Sequence, residues 1–181
     1  MRALVLLAEG FEEIEAVTIV DVLRRGGVKV TTAALGTSLV RGSHGIAIEA
    51  DTSLDGLRVD TFDAVVLPGG MPGAKHLRDD TRVQSLLCEA AARDKLVGAI
   101  CAAPIALDAA GLLDGKRATA YPGHEIRPAI YVEEDVVTDG NIVTSRGVGT
   151  ALDFALALVE RLAGSDTASR LRVAMLVEAR T

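Results

Sequence analysis

An α/β domain, with helices on both faces of a mostly parallel sheet, is the fold class that the sequence predicts. Three observations point there. Short apolar runs at residues 2–8, 64–67 and 95–100 have the length and content of strands buried on both faces. Each is closed by glycine or another small residue and leads toward apolar positions at helical spacing, so that strand, turn and helix recur in order. The chain is 49% apolar but only 3% aromatic, a balance that suits alternating helices and buried strands better than a sandwich. At 181 residues it has the length of one domain, residues 1–181 as a single unit, with enough apolar content for a sizeable core.

The elements follow in order. The first strand, residues 2–8, is closed by Glu9 and Gly10. A helical pattern then runs from about Glu13 to Arg25, where Gly26 and Gly27 stop it. Residues 28–35 alternate as a second strand and complete a βαβ unit. Short pieces around Leu39 and at 45–49 pair as a hairpin beside the main sheet. The strand at 64–67 runs into the turn Pro68-Gly69-Gly70-Met71-Pro72-Gly73. A helix follows from about Thr81 to Arg93, with Thr81 and Gln84 spaced as a capping box. The strand at 95–100 feeds straight into Cys101 and a helix over 102–113. Strands at 117–121 and 131–138 flank a loop holding Tyr121, Pro122, Gly123 and His124, and residues 141–145 form one more strand. Thr150 and Asp153 cap a helix that ends near Leu162 before Gly164, and a last helical stretch covers about 166–178. No internal repeat, linker or low-complexity tract interrupts this order.

Charge and cysteine content narrow the function classes. A formal net charge of −6 disfavours the phosphate backbone of nucleic acids and leaves small molecules or other proteins as partners. No apolar run approaches the ~20 residues of a membrane span. The first run is too short for a signal-peptide core and is closed by Glu9, so a soluble, cytoplasmic protein is expected. Two cysteines make no disulfide framework.

In open parallel sheets ligands collect where strands end, which brings forward the junctions at 9–15, 68–73, 100–104 and 145–150. Cys101 is the sharpest candidate. Between a buried strand and a helix of small residues it occupies a nucleophile elbow, and the helix N-terminus beside it lowers a thiol pKa from about 8.5 into a range of roughly 3.5–7.5. Its alternative is a buried structural cysteine. Glu15 shares a helix face with Ile19 and Val22, so its carboxyl points at the core or at a pocket, where burial raises its pKa and fits it to shuttle a proton. The alternative is an exposed first-turn acid, a role that Glu12 and Glu13 fill equally well. The amides of the glycine turn, with that of Ala102, suit an oxyanion hole. No Gly-Lys-Ser/Thr follows the turn, which excludes a phosphate loop. Cys88 reads as core packing beside Leu86 and Leu87. His44, His76 and His124 are isolated from one another, with no metal-ligand spacing and no metal expected. His76 reads as a surface residue, and His124 as an acid/base group or a solvated side chain.

Glu15 within Gly10-Phe11-Glu12-Glu13-Ile14-Glu15, the turn Leu67-Pro68-Gly69-Gly70, the elbow Ala99-Ile100-Cys101-Ala102-Ala103-Pro104 and Thr144-Ser145-Arg146-Gly147 together resemble the ThiJ/PfpI superfamily in its DJ-one-like branch. The likeness keeps its order from Arg2 to about Leu162. It implies a flavodoxin-like three-layer αβα sandwich of the class I glutamine amidotransferase-like type, and a homodimer. It also implies Cys101 as reactive thiolate, Glu15 as its protonated partner, and the Gly70 and Ala102 amides as oxyanion donors. Asp21, Arg24 and Arg25 match a first helix whose arginine region lies near the dimer contact and the site's mouth. Five departures stand out. Tyr121 precedes Pro122 where vertebrate members carry histidine, with His124 three residues displaced. His44 falls where arginine is common, and Val148 replaces a common proline. Ala102 follows the cysteine where protease-like members have histidine, and no distal His-x-Glu of a glutamine amidotransferase follows Cys101. Tyr121, His124, His44 and Arg25 are therefore the candidate pocket residues.

What the resemblance implies is a cofactor-free, cysteine-dependent enzyme of glyoxalase or deglycase type, acting on a small reactive carbonyl such as methylglyoxal in a stress-protective role. The rival is a redox-sensing or chaperone-like stress protein whose Cys101 oxidises reversibly.

Overall fold

The computed structural model describes residues 1–177. Along the chain lie β1 (Arg2–Leu7), α1 (Glu13–Arg25), β2 (Lys29–Ala34), β3 (Leu39–Arg41), β4 (Ala47–Glu49), β5 (Thr52–Ser53), β6 (Ala64–Leu67), α2 (Gly73–Asp79), α3 (Thr81–Ala92), β7 (Leu96–Ile100) and α4 (Pro104–Ala109). They are followed by β8 (Arg117–Ala118), β9 (Ile130–Tyr131), β10 (Val136–Asp139), β11 (Ile142–Ser145), α5 (Ala151–Ala163) and α6 (Ser165–Ala174). The main sheet runs β10-β11-β7-β6-β1-β2-β5, with every pairing parallel except the outer β10–β11 pair. β3 and β4 form the expected side hairpin. The flavodoxin-like sandwich is the architecture observed.

Strand alternation divides the core. Ala3, Val5 and Leu7 of β1 face one cluster with Ile19, Val22 and Leu23 of α1 and Phe154, Leu158 and Val159 of α5. Leu4, Leu6 and Ala8 face the opposite cluster with Leu77 of α2, Leu87 of α3 and Leu107 of α4. A strand with helices on both sides has no polar face to offer, which is why β1, β6 and β7 read as unbroken apolar runs. From β1 the chain first moves outward to β2 and later returns to the other side as β6. The loops after β1 and β6 therefore diverge at a switch point, where such sheets leave a crevice.

Several local expectations are corrected. The helix after Cys101 is α4 alone, because residues 101–103 form a turn and Pro104, lacking an amide hydrogen, opens the helix at N1. Asp80, not Thr81, caps α3: its carboxylate accepts the amides of Arg82 at 2.8 Å and Val83 at 3.4 Å. Thr150 precedes α5 but donates its hydroxyl hydrogen back to the Gly147 carbonyl at 2.9 Å, while Asp153 pairs with Arg172 at 2.8 Å. The strand expected at 117–121 is only β8, and that at 131–138 is divided between β9 and β10. α2 and β5 were not foreseen, since Pro72-Gly73 reads as turn and β5 has two residues. α6 stops at Ala174, and the part of the last helical stretch at Glu178 lies outside the described residues.

Candidate active site

Three strand ends and one helix build the site. β7 ends in Cys101, whose φ of +63° places a non-glycine residue in the left-handed region, a strained turn that throws the side chain off the strand line. Neighbouring strands hold it: the Cys101 amide donates to the Ser145 carbonyl at 2.9 Å and its carbonyl accepts the Tyr121 amide at 2.8 Å. The loop after β6 crosses against the start of α1. The Glu12 amide donates to the Gly69 carbonyl at 2.9 Å, and the Gly69 amide donates to Glu15 Oε2 at 2.8 Å.

The approach is close enough to dictate glycine. A Cβ on Gly69 would stand 2.6 Å from the Cys101 Cβ and 2.8 Å from Glu15 Oε2. One on Gly70, at φ +88°, would stand 2.3 Å from the Glu12 backbone nitrogen.

Glu15 is fully buried beside Ile19 and Val22, which decides between the two readings of this residue. Glu12 and Glu13 are buried as well, so none of the three is an exposed first-turn acid. Burial pushes the Glu15 carboxyl up to about 7, against the Gly69 amide and the Cys101 thiol, both of which hydrogen-bond it, and with the Glu12 charge adding to the rise. Oε1 is buried without a conventional partner, an acceptor available to the thiol. The lowered thiol pKa expected of the elbow is not what forms. Burial first, and then the Glu15 charge, push the Cys101 thiol up to about 12, while the Gly70 and Ala102 amides act in the opposite sense. The helix is the missing ingredient: α4 has six residues and starts three past the sulfur, leaving little dipole to favour a thiolate. The two groups titrate as a pair. Above about pH 7 the pair carries one negative charge, shared through one proton between carboxyl and sulfur.

The remaining candidates separate. The Tyr121 ring packs over Gly147 and meets His124 edge-on, with ring centroids 6.1 Å apart. Among the described residues no hydrogen bond joins either ring to the thiol. Tyr121 is thus tied to Cys101 through its backbone, and His124 is tied to Tyr121, its amide donating to the Tyr121 carbonyl at 3.1 Å. Arg25 is not at the site: ten residues along α1 from Glu15, about 15 Å by helical rise, it is exposed and bonded to Asp21 at 2.7 Å. Cys88 is exposed, not core packing, with its sulfur 3.6 Å from the Ala110 carbonyl oxygen. His76 is exposed, as read.

His44 is not isolated. Its Nδ1 lies 2.9 Å from Glu13 Oε2, and its amide donates to Glu13 Oε1 at 2.7 Å. Burial alone would raise the Glu13 carboxyl; hydrogen bonds from the His44 ring and from backbone amides outweigh it and hold the group down to about 2. The Glu13 contact raises His44 in turn. Sequence spacing missed this arrangement because its members are some thirty positions apart. Glu13 is the first residue of α1, directly after the extended N-cap Glu12 (φ −86°, ψ 121°), and no helical period points it at the 41–46 loop.

Comparison with known proteins places this geometry. The profile of the DJ-1/PfpI family matches residues 1–161. Protein dj-1beta of Drosophila melanogaster is 43% identical over 97% of this chain and 96% of its own length. Glutathione-independent glyoxalase DJR-1.2 of Caenorhabditis elegans is 36% identical over 93% of this chain and 92% of its own. Protein DJ-1 homolog B of Arabidopsis thaliana is 43% identical, and the chain spans 41% of that longer protein. Among solved structures, Drosophila melanogaster DJ-1beta superposes with a TM-score of 0.94 at 43% identity, covering 98% of both chains. Oxidised Toxoplasma gondii DJ-1 superposes with a TM-score of 0.94 at 39% identity, covering 98% of this chain and 99% of its own.

Proposed function

The chain belongs to the DJ-1/PfpI family, and from that premise we propose that it is a cysteine-dependent enzyme of small reactive carbonyls, converting methylglyoxal to lactate in a cytoplasmic, stress-protective role. The observation that carries this is the buried Glu15 carboxyl, raised to about 7 and coupled to the thiol of a strained elbow; the glyoxalase among the relatives supports it. Ionised Glu15 takes the thiol proton as sulfur adds to the aldehyde carbon. The oxyanion of the resulting hemithioacetal is held by the Gly70 and Ala102 amides. Glu15 returns the thiol proton to that oxyanion, then removes the proton of the former aldehyde carbon to give an enediol and delivers it to the neighbouring carbon as the hydroxyl proton passes from the first oxygen to the second, leaving a lactoyl thioester and an ionised Glu15. Water hydrolyses the thioester to lactate and returns the proton to sulfur. One water is consumed and no oxidant is needed. Lactate formation by the purified protein tests the reading: Cys101→Ala is expected to abolish it, and a Cys101→Ala protein of full activity overturns it.

A second reading is favoured by the same amides aimed at the sulfur, which would equally hold a sulfinate, and by the oxidised state of the Toxoplasma relative. Mild peroxide that adds two oxygens at Cys101, in a protein without carbonyl turnover, would favour sensing. The homodimer is likewise a proposal. Ile14 and Val17, exposed one turn apart on α1, are apolar surface for a second copy to cover, and Val17→Asp is expected to shift the protein to monomer in light scattering.

A further inference from the structure

We propose that Thr144, Ser145 and Thr150 are positioning residues for Cys101: their buried hydroxyls lock the two backbone bonds that keep the elbow left-handed, and so set the sulfur against Glu15. The inference rests on Cys101 being the reactive cysteine of the proposed function. It gives a task to the motif Thr144-Ser145-Arg146-Gly147, which the carbonyl chemistry leaves without one. Left-handed backbone at a non-glycine residue is costly and persists only where its surroundings over-determine it. Cys101, at φ +63°, is held by its amide on the Ser145 carbonyl at 2.9 Å and by the Tyr121 amide on its own carbonyl at 2.8 Å. Both bonds lead back to the end of β11.

Thr144 and Ser145 are consecutive in β11, so their side chains leave opposite faces of the sheet, and each serves one of the two bonds. On one face, Thr144 Oγ1 accepts the Thr119 amide at 2.9 Å, which pins the chain two residues before Tyr121. On the other, Ser145 Oγ donates to the Asp135 carbonyl at 2.7 Å and lies 2.6 Å from Thr150 Oγ1. A hydroxyl has one hydrogen to give. Thr150 is therefore the donor between the two, its hydrogen shared with the Gly147 carbonyl at 2.9 Å, and its oxygen accepts the Gly147 amide at 3.2 Å. Thr150, expected at the cap of α5, instead closes the 147–150 turn onto the strand end that carries the Ser145 carbonyl.

All three side chains are buried, in a strand whose preceding residues are the apolar Ile142 and Val143. A buried hydroxyl is costly unless hydrogen-bonded, and the bonds these three make hold main chain, or one another, around Cys101. Without them the elbow keeps its sequence but loses what holds it against relaxation, and the sulfur moves relative to Glu15 and the Gly70 and Ala102 amides. The carboxylates themselves, Glu15 acting on the thiol and Glu12 acting on Glu15, stay in place.

Alkylation of Cys101 by iodoacetamide, followed by intact mass across pH in the full chain carrying Cys88→Ser, tests the assignment without requiring turnover. In this parent the rate should rise through about pH 7, as the Glu15–Cys101 pair loses a proton. Thr144→Val and Thr150→Val, which remove a hydroxyl with little change of shape, and Ser145→Ala should move that rise toward the ~8.5 of an ordinary thiol. Lactate formation should fall at least about tenfold in each, since a 1 Å misplacement can cost about 10². Thr150→Ser, which keeps the hydroxyl, should restore the parent profile. Thr32→Val removes a buried hydroxyl bonded to Asp51 in β2, three strands from β7, and should lower the urea midpoint without moving the profile. Folded Thr144→Val and Thr150→Val proteins with the parent's profile, or an equal displacement in Thr32→Val, overturn the assignment. The displacement found in a protein whose parent forms no lactate supports the positioning role and overturns only the carbonyl reading.

Discussion

Glu13 and Glu15 stand two residues apart in the first turn of α1, both buried, and hold their protons at opposite ends of the carboxylate range. Glu13 is held down to about 2 and Glu15 is pushed up to about 7. Depth alone does not separate them. Glu13 gathers donors, two amides, the Ser43 hydroxyl and the His44 ring, whereas Glu15 has the Gly69 amide on one oxygen and no conventional partner on the other. A buried carboxyl becomes a structural anchor when its lone pairs are filled and a proton carrier when one is left open to a thiol.

The hardest blow to this contrast exchanges each group for its neutral isostere. Glu15→Gln should lower kcat/KM for lactate formation by roughly 10²–10⁴, the worth of a positioned base, while Glu13→Gln changes it less than about threefold. The wild-type rate should rise through about pH 7 as Glu15 ionises, and that limb should vanish in Glu15→Gln. Stability should also respond to pH with opposite signs. The Glu15 contribution is complete below the ordinary 4.5 and is lost as pH rises through about 7. The Glu13 contribution is complete above 4.5 and is lost as pH falls through about 2. Urea midpoints of wild type against each variant, taken across pH 3 to 8, read both slopes, and two slopes of one sign would erase the distinction.

Smaller changes sharpen the contrast. Gly69→Ala drives a methyl against Cys101 and Glu15 and should cost about 1–3 kcal/mol in urea denaturation, with activity lost while Glu13 keeps its contacts. Glu13→Gln should cost about 1–2 kcal/mol at neutral pH, because its two amide acceptances survive and the charge does not. The mildest change is His44→Gln, below about 1 kcal/mol for so exposed a partner, measured the same way.

What was readable from the chain follows from the range of the forces involved. β1, β6 and β7 announce themselves because burial on both faces leaves an apolar run, and α1 because its apolar stripe has helical period. Glu15 was legible for the same reason, sharing a face with Ile19 and Val22. The Cys101 elbow was legible as a strand running into small residues. The thiol's rise was not, since it depends on how soon α4 begins and on a charge brought from residue 15. Arg25 was misplaced because a helix separates its ends by more than sequence likeness records. The partnership of Glu13 with His44 was invisible, being made between the first residue of α1 and a hairpin turn some thirty positions away.

Gly69 and Gly70 carry one more consequence, for anyone diversifying this scaffold. Where two stretches of main chain touch with no side chain between them, there is no alphabet to draw from. One wall beside the nucleophile is therefore closed to mutation by drift or by library. New substrate preferences in this fold have to come from other positions, where a side chain has room.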